Sequence, residues 1–161
     1  FGLNRYSMLA VGQKQKNSGA DIFVNQLREN AWIKMIPRKS SLEFMYESLA
    51  RNNILTLASD QDAKNRGIFV KFFSLPASTP KGAGRFHLEY GSPLIFVTCH
   101  LEKPNNHVLD ILPVPTDSNS NIESITQSFT LMLEKIITAY PEQYFWFHRR
   151  WKTKPPQTES T

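Results

Sequence analysis

The segment Ser59-Asp60-Gln61-Asp62-Ala63-Lys64-Asn65-Arg66-Gly67 crowds carboxylates and cations directly behind the apolar run at residues 54–58. That run reads as a strand covered on both faces, and ligands of open α/β sheets bind beyond the carboxyl ends of such strands. Asp60 and Asp62 can hold a metal, orient a substrate hydroxyl, or fix the loop by accepting hydrogen bonds from its own amides. The further ligands of a calcium loop are missing, so neither a metal nor a cofactor is expected.

A second concentration, Thr79-Pro80-Lys81-Gly82-Ala83-Gly84-Arg85, combines a cap, glycines and cations at a helix start, where free amides can receive a phosphate or carboxylate. It lacks the Gly-Lys-Ser/Thr ending of a phosphate loop. His87 lies on the apolar face of that helix and reads as a satisfied interior or interface histidine rather than a base. Cys99 is the sole cysteine, which excludes an internal disulfide. It is expected to be buried. At residues 140–152, YPEQYFWFHRRWK places rings around His148, Arg149 and Arg150. A packed terminal anchor and an interfacial patch on anionic head groups are both open from these residues.

The elements that must position these groups are punctuated clearly. Ala20, Phe23, Val24 and Leu27 share one helical face, and Trp32-Ile33-Lys34-Met35-Ile36 reads as a strand. Ser40-Ser41-Leu42-Glu43 predicts a capping box for a helix to about Arg51. Thr79 as cap and Pro80 as first residue predict a helix closed by Gly91-Ser92-Pro93. Strands at 94–98 and 108–112 pair across Glu102-Lys103-Pro104-Asn105-Asn106, and Ile122, Ile125, Phe129, Met132, Leu133, Ile136 and Ile137 mark a long helix. Alternating strands and helices predict an α/β fold, a mostly parallel or mixed sheet flanked by helices. The polar tail at 153–161 is expected to be loose.

The 161 residues suffice for one domain with a core, and 19 Lys plus Arg against 14 Asp plus Glu give +5, favouring anionic partners. No apolar run reaches the roughly 20 residues that cross a bilayer. A basic nucleic-acid-binding module is the alternative suggested by charge and aromatics. The aromatics form one local cluster and no nucleic-acid motif is present, so nucleic acid is not an expected partner.

The ordered blocks Ile36-Pro37-Arg38-Lys39, Ser59-Asp60-Gln61-Asp62 with Arg66-Gly67-Ile68-Phe69-Val70-Lys71-Phe72-Phe73, Ala77-Ser78-Thr79-Pro80-Lys81-Gly82, Tyr90-Gly91-Ser92-Pro93-Leu94-Ile95 and the stretch at 140–152 resemble the bacterial lipid A biosynthesis (lauroyl/myristoyl) acyltransferase family. The resemblance implies a glycerolipid acyltransferase-like fold. It also implies transfer of a fatty acyl chain from acyl carrier protein or acyl-CoA to a hydroxyl of a lipid A-like or other glycolipid acceptor, at the cytoplasmic face of the inner membrane. In that family a His-x4-Asp/Glu motif supplies the base, because an alcohol is a poor nucleophile at neutral pH.

None of the histidines, His87, His100, His107 and His148, has an acid five residues later. The motif and a membrane helix are therefore expected upstream of Phe1, with residues 1–152 forming the C-terminal part of one acyltransferase-like domain. Gln13 stands where the family commonly has Arg, and cannot supply its bidentate charge. An inactive membrane-associated scaffold is a further alternative on that ground. The resemblance and position together nominate Arg38, Asp60, Asp62 and Arg66 as substrate-side residues. Trp146, Arg149, Arg150 and Trp151 are nominated for membrane or anionic-group contact.

Overall fold

The computed structural model describes residues 4–12, 14–37 and 40–156. The chain forms two compact units, Phe1–Ala58 and Ser59–Thr161. Arg38 and Gln13 lie outside the described residues.

In the first unit, β1 (Met8–Gly12) runs between β2 (Ile33–Pro37) and β3 (Ile54–Thr56), parallel to both. Ala10 faces Met35 on one side and Thr56 on the other. Parallel neighbours require crossovers, and α1 (Ser18–Asn30) and α2 (Leu42–Ala50) supply them. The Asn17 side chain caps α1 by accepting from the Ala20 amide at 2.9 Å. The cap of α2 is Ser41, whose Oγ accepts from the Phe44 amide at 3.2 Å; the expected Ser40–Glu43 box starts one residue too early. Leu9, Ile36 and Met45 are buried here. The expected apolar face of α1 is present, yet Phe23 and Leu27 are exposed.

The second unit opens with an antiparallel hairpin that the sequence did not announce, β4 (Ile68–Phe72) and β5 (Leu75–Thr79). Its turn residues Phe73 and Ser74 have φ of 48° and 64°, the left-handed geometry for which Asn-Gly is the usual signal. Tertiary bonds hold this turn: the Phe73 amide donates to Glu134 Oε1 at 2.8 Å. Gln127 brackets Lys71, accepting from its amide at 2.8 Å and donating to its carbonyl at 2.9 Å. Both partners sit on α4 (Ile122–Ala139), which opens with a capping box between Asn121 and Ser124.

Helix α3 (Gly82–Tyr90) begins later than Thr79-Pro80 suggests, because Thr79 is the last residue of β5. It ends at Gly91, whose φ of 73° is the left-handed cap that glycine adopts without strain. The strands β6 (Ile95–Lys103) and β7 (Asn106–Pro113) form the expected hairpin. Phe96, Leu94 and Val114 pack with Ile125 and Phe129 of α4, while Phe72, Ala77 and Ile137 form a second cluster joined by Tyr144 and Trp151.

Strand alternation corrects the expectation for Cys99, which is exposed. Its neighbour His100 is buried, stacked on Tyr140 at 4.1 Å between centroids with Nδ1 3.2 Å from Asp110 Oδ2.

Candidate functional site

The loop at 59–67 is built against β5 by short backbone links. The Ala63 amide donates to the Ser78 carbonyl at 3.1 Å, and Ser78 Oγ donates to the Lys64 carbonyl at 2.6 Å. A 3-10 turn, Lys64–Arg66, follows and delivers the chain to Gly67 and β4. A Cβ on Gly67 would lie 2.7 Å from Ala63 Cβ and 2.8 Å from the Thr79 carbonyl. Glycine is required at this position by close approach, which is how a loop of charged residues lies flat on a buried strand.

The C-terminal stretch closes over the same loop. A 3-10 turn, Pro141–Gln143, ends α4 and redirects the chain. Tyr144 Oη donates to the Asp60 carbonyl at 3.3 Å, and His148 Nε2 accepts from the Asp62 amide at 2.8 Å. Accepting through Nε2 engages this histidine as a positioning group for the loop. Asp62 Oδ2 in turn accepts from Thr153 Oγ1 at 2.9 Å. Thr153 thus ties the start of the C-terminal tail to the loop. Asp62 Oδ1 is buried with no hydrogen-bond partner among the described residues.

Arg150 lies beneath this arrangement at 1% exposure. Its guanidinium donates to the Ser78 carbonyl at 2.7 Å and to Thr79 Oγ1, and stacks 5.2 Å above the Phe72 ring centroid. Burial pushes its pKa below the ordinary arginine value, opposed by Tyr144, Asp62 and Asp60. Burial likewise raises the Tyr144 pKa, with Arg150 pulling it down and Asp60 adding to the rise. A charge taken from water needs such a polar surround, and the loop carboxylates and β5 supply it.

The structure therefore divides the residues nominated from sequence. Asp60 and Asp62 are held together with Tyr144, His148, Arg150 and Thr153. Arg66 is exposed on its 3-10 turn. Trp146 and Arg149 are exposed. Arg150 and Trp151, expected at an anionic or membrane contact, point inward: Trp151 Nε1 donates to the Phe72 carbonyl at 3.2 Å and its ring sits 5.2 Å from that of Phe72. Successive tight turns, His148 amide to Phe145 carbonyl and Arg150 amide to His148 carbonyl, send neighbouring side chains to opposite sides.

Sequence reasoning did not single out Ser78, Thr79, Tyr144 and Thr153 as positioners. Ser78 and Thr79 sat inside a recognisable block, and Thr79 read as a helix cap. His87 is satisfied as expected, with Nδ1 2.7 Å from the Ser92 carbonyl. Among the described residues no group of His, Cys, Asp and Glu gathers to hold a metal ion.

A family model described as bacterial lipid A biosynthesis acyltransferase matches residues 3–153. The chain is 30% identical over 136 residues to the lipid A biosynthesis lauroyltransferase of Escherichia coli (strain K12), a match covering 81% of the chain and 43% of that protein. It is 29% identical over 124 residues to the lipid A biosynthesis palmitoleoyltransferase of the same organism, covering 73% of the chain and 39% of the relative. A lipid A biosynthesis acyltransferase of Shigella flexneri matches to the same extent. The chain thus spans less than half the length of the curated relatives it matches.

Proposed function

The chain belongs to the bacterial lipid A biosynthesis acyltransferase family, and from that premise we propose that it is the C-terminal part of one acyltransferase-like domain that esterifies a hydroxyl of a lipid A-like acceptor. The family match over residues 3–153 carries this reading. The acyl donor is acyl carrier protein or acyl-CoA, and the place of work is the cytoplasmic face of the inner membrane. In the reaction a histidine of a His-x4-Asp/Glu motif, upstream of Phe1, takes the proton of the acceptor hydroxyl. The oxygen attacks the thioester carbonyl, the ester forms, and the thiolate leaves with the pantetheine arm.

Within this chain the roles separate by burial. Arg66, exposed on its 3-10 turn, is suited to receive a phosphate or other anionic group of a substrate. Asp62 is a positioning residue, since its amide and carboxylate are engaged by His148 and Thr153. Asp60 acts beside it on the same loop, and Arg38 keeps a substrate-side role on the resemblance alone.

The test is acyl transfer by the longer protein containing this chain, with acyl carrier protein and acyl-CoA donors compared on a lipid A precursor. Arg66→Gln should raise KM at least about tenfold with kcat less affected, as expected for loss of one charge-assisted contact. An upstream reading frame without His-x4-Asp/Glu, or no transfer from either donor, overturns the assignment.

A further inference from the structure

The aromatic stretch has an outer half as well as an inner one. Tyr144, His148, Arg150 and Trp151 pin it to the loop and to β4 and β5. Between the first two pins the chain turns outward, leaving Phe145 at 61%, Trp146 at 49% and Phe147 at 92% exposure. The Phe145 and Phe147 rings lie 5.9 Å apart at the tip. Trp146 is fixed beside them, its Nε1 donating to the Pro141 carbonyl at 2.6 Å and its ring edge-on to Tyr144 at 4.9 Å. Arg149, Lys152 and Lys154, which follow the tip within seven residues of the chain, are exposed, and residues 143–156 contain no acid.

We infer that this tip is a membrane-insertion element, with Phe145, Trp146 and Phe147 entering the head-group and upper acyl region of an anionic bilayer while Arg149, Lys152 and Lys154 meet lipid phosphates. Exposed hydrocarbon rings held between hydrogen-bonded anchors and followed in the chain by exposed cations supply both groups that a lipid surface takes, apolar side chains for its interior and cations for its phosphates. An acidic protein partner would be met by the cations, but would give no role to a phenylalanine that is 92% exposed. The pins on either side remove the ordering cost that a floppy aromatic tail would incur on binding. Three side chains at one turn would attach shallowly, within the interface rather than across it. The inference rests on the reading of this chain as a protein that works at a lipid surface, and needs none of its transfer chemistry.

The experiment is co-sedimentation of the 161-residue chain with phosphatidylcholine vesicles, with and without phosphatidylglycerol, at low and high salt. Phe145→Ser with Phe147→Ser should weaken partition about tenfold or more at either salt, since buried ring area is lost. Phe145→Leu with Phe147→Leu should retain most of it. Arg149→Gln with Lys152→Gln should weaken binding only on phosphatidylglycerol vesicles, an effect that shrinks with salt. Thermal unfolding of each variant confirms that the pins hold. Unchanged partition of the serine variant, or no partition of the unsubstituted chain, overturns the proposal. So does serine-variant loss of carrier-protein binding with vesicle binding intact. Failure of acyl transfer in the longer protein would leave these results standing, so the two readings fail separately.

Discussion

The amide of Asp62 donates to Nε2 of His148 across 86 residues of sequence at 2.8 Å. That bond closes the C-terminal stretch onto the charged loop and fixes the orientation of the ring. A loop of carboxylates and cations would otherwise need water for its backbone amides. The histidine supplies the acceptor in a half-buried place, so its value is that of leaving no amide unsatisfied.

His148→Ala should therefore destabilise the chain by about 1–3 kcal/mol, the cost of stranding a partly buried donor. His148→Gln, which restores an acceptor oxygen, should recover a substantial part. Urea denaturation of the variants checks this; equal losses for Ala and Gln would mean that ring packing, rather than the hydrogen bond, sets the cost.

Tyr144 gives a pH-dependent prediction. Burial holds its pKa above the ordinary 10.0. As pH rises past 10.0 the unfolded tyrosine gives up its proton while the folded one keeps it. The raised folded value thus stabilises fully below the unfolded pKa, and that contribution is lost as pH climbs through the folded pKa. Tyr144→Phe should cost about 1 kcal/mol near neutrality, from the lost bond to the Asp60 carbonyl. Its deficit should narrow above pH 10, in urea titrations at a series of pH values. A constant gap would contradict the burial of the phenol.

The pattern of success from sequence has a physical basis. Caps and long apolar stripes are local signals, so α4, the β6–β7 pairing and the helix–strand alternation from α1 to β3 were legible, whereas β1, the strand between β2 and β3, was not singled out. The β4–β5 hairpin was not, because its turn is Phe73-Ser74 and the bonds from Glu134 and Gln127 that hold it come from a helix more than fifty residues on. The site was half legible for the same reason. Asp60 and Asp62 were conspicuous by type, but their partners Tyr144, His148 and Thr153 are joined to them only by the fold. Composition likewise could not say that Arg149 faces out and Arg150 in.

Gly67 offers a packing test of the loop. Its φ of −81° and ψ of 177° suit any residue, so alanine would gain about 0.4–1 kcal/mol from the unfolded state alone. The clash with Ala63 and the Thr79 carbonyl works against this, and overpacking of that kind costs about 1–3 kcal/mol. Gly67→Ala should accordingly be net destabilising in thermal unfolding. A raised Tm would show that the loop does not lie as closely on β5 as described.

Arg150 separates structure from surface most directly. Its guanidinium serves the Ser78 carbonyl and Thr79 Oγ1 at once while stacking on Phe72. Lysine keeps the charge but has no planar fork, so Arg150→Lys should lose at least one of these bonds and the stack. A hydrogen bond to a charged group contributes about 1.5–3 kcal/mol, which puts the loss for Arg150→Lys near 2 kcal/mol and that for Arg150→Ala at about 3 kcal/mol or more. Because the group is buried, vesicle partition per folded molecule should be unchanged in Arg150→Lys, whereas Arg149→Gln should lower partition and leave stability within about 0.5 kcal/mol. Denaturation and vesicle binding measured on both variants give opposite patterns if Arg150 clamps the fold and Arg149 meets the lipid. The same pattern for both would remove the distinction on which the insertion element depends.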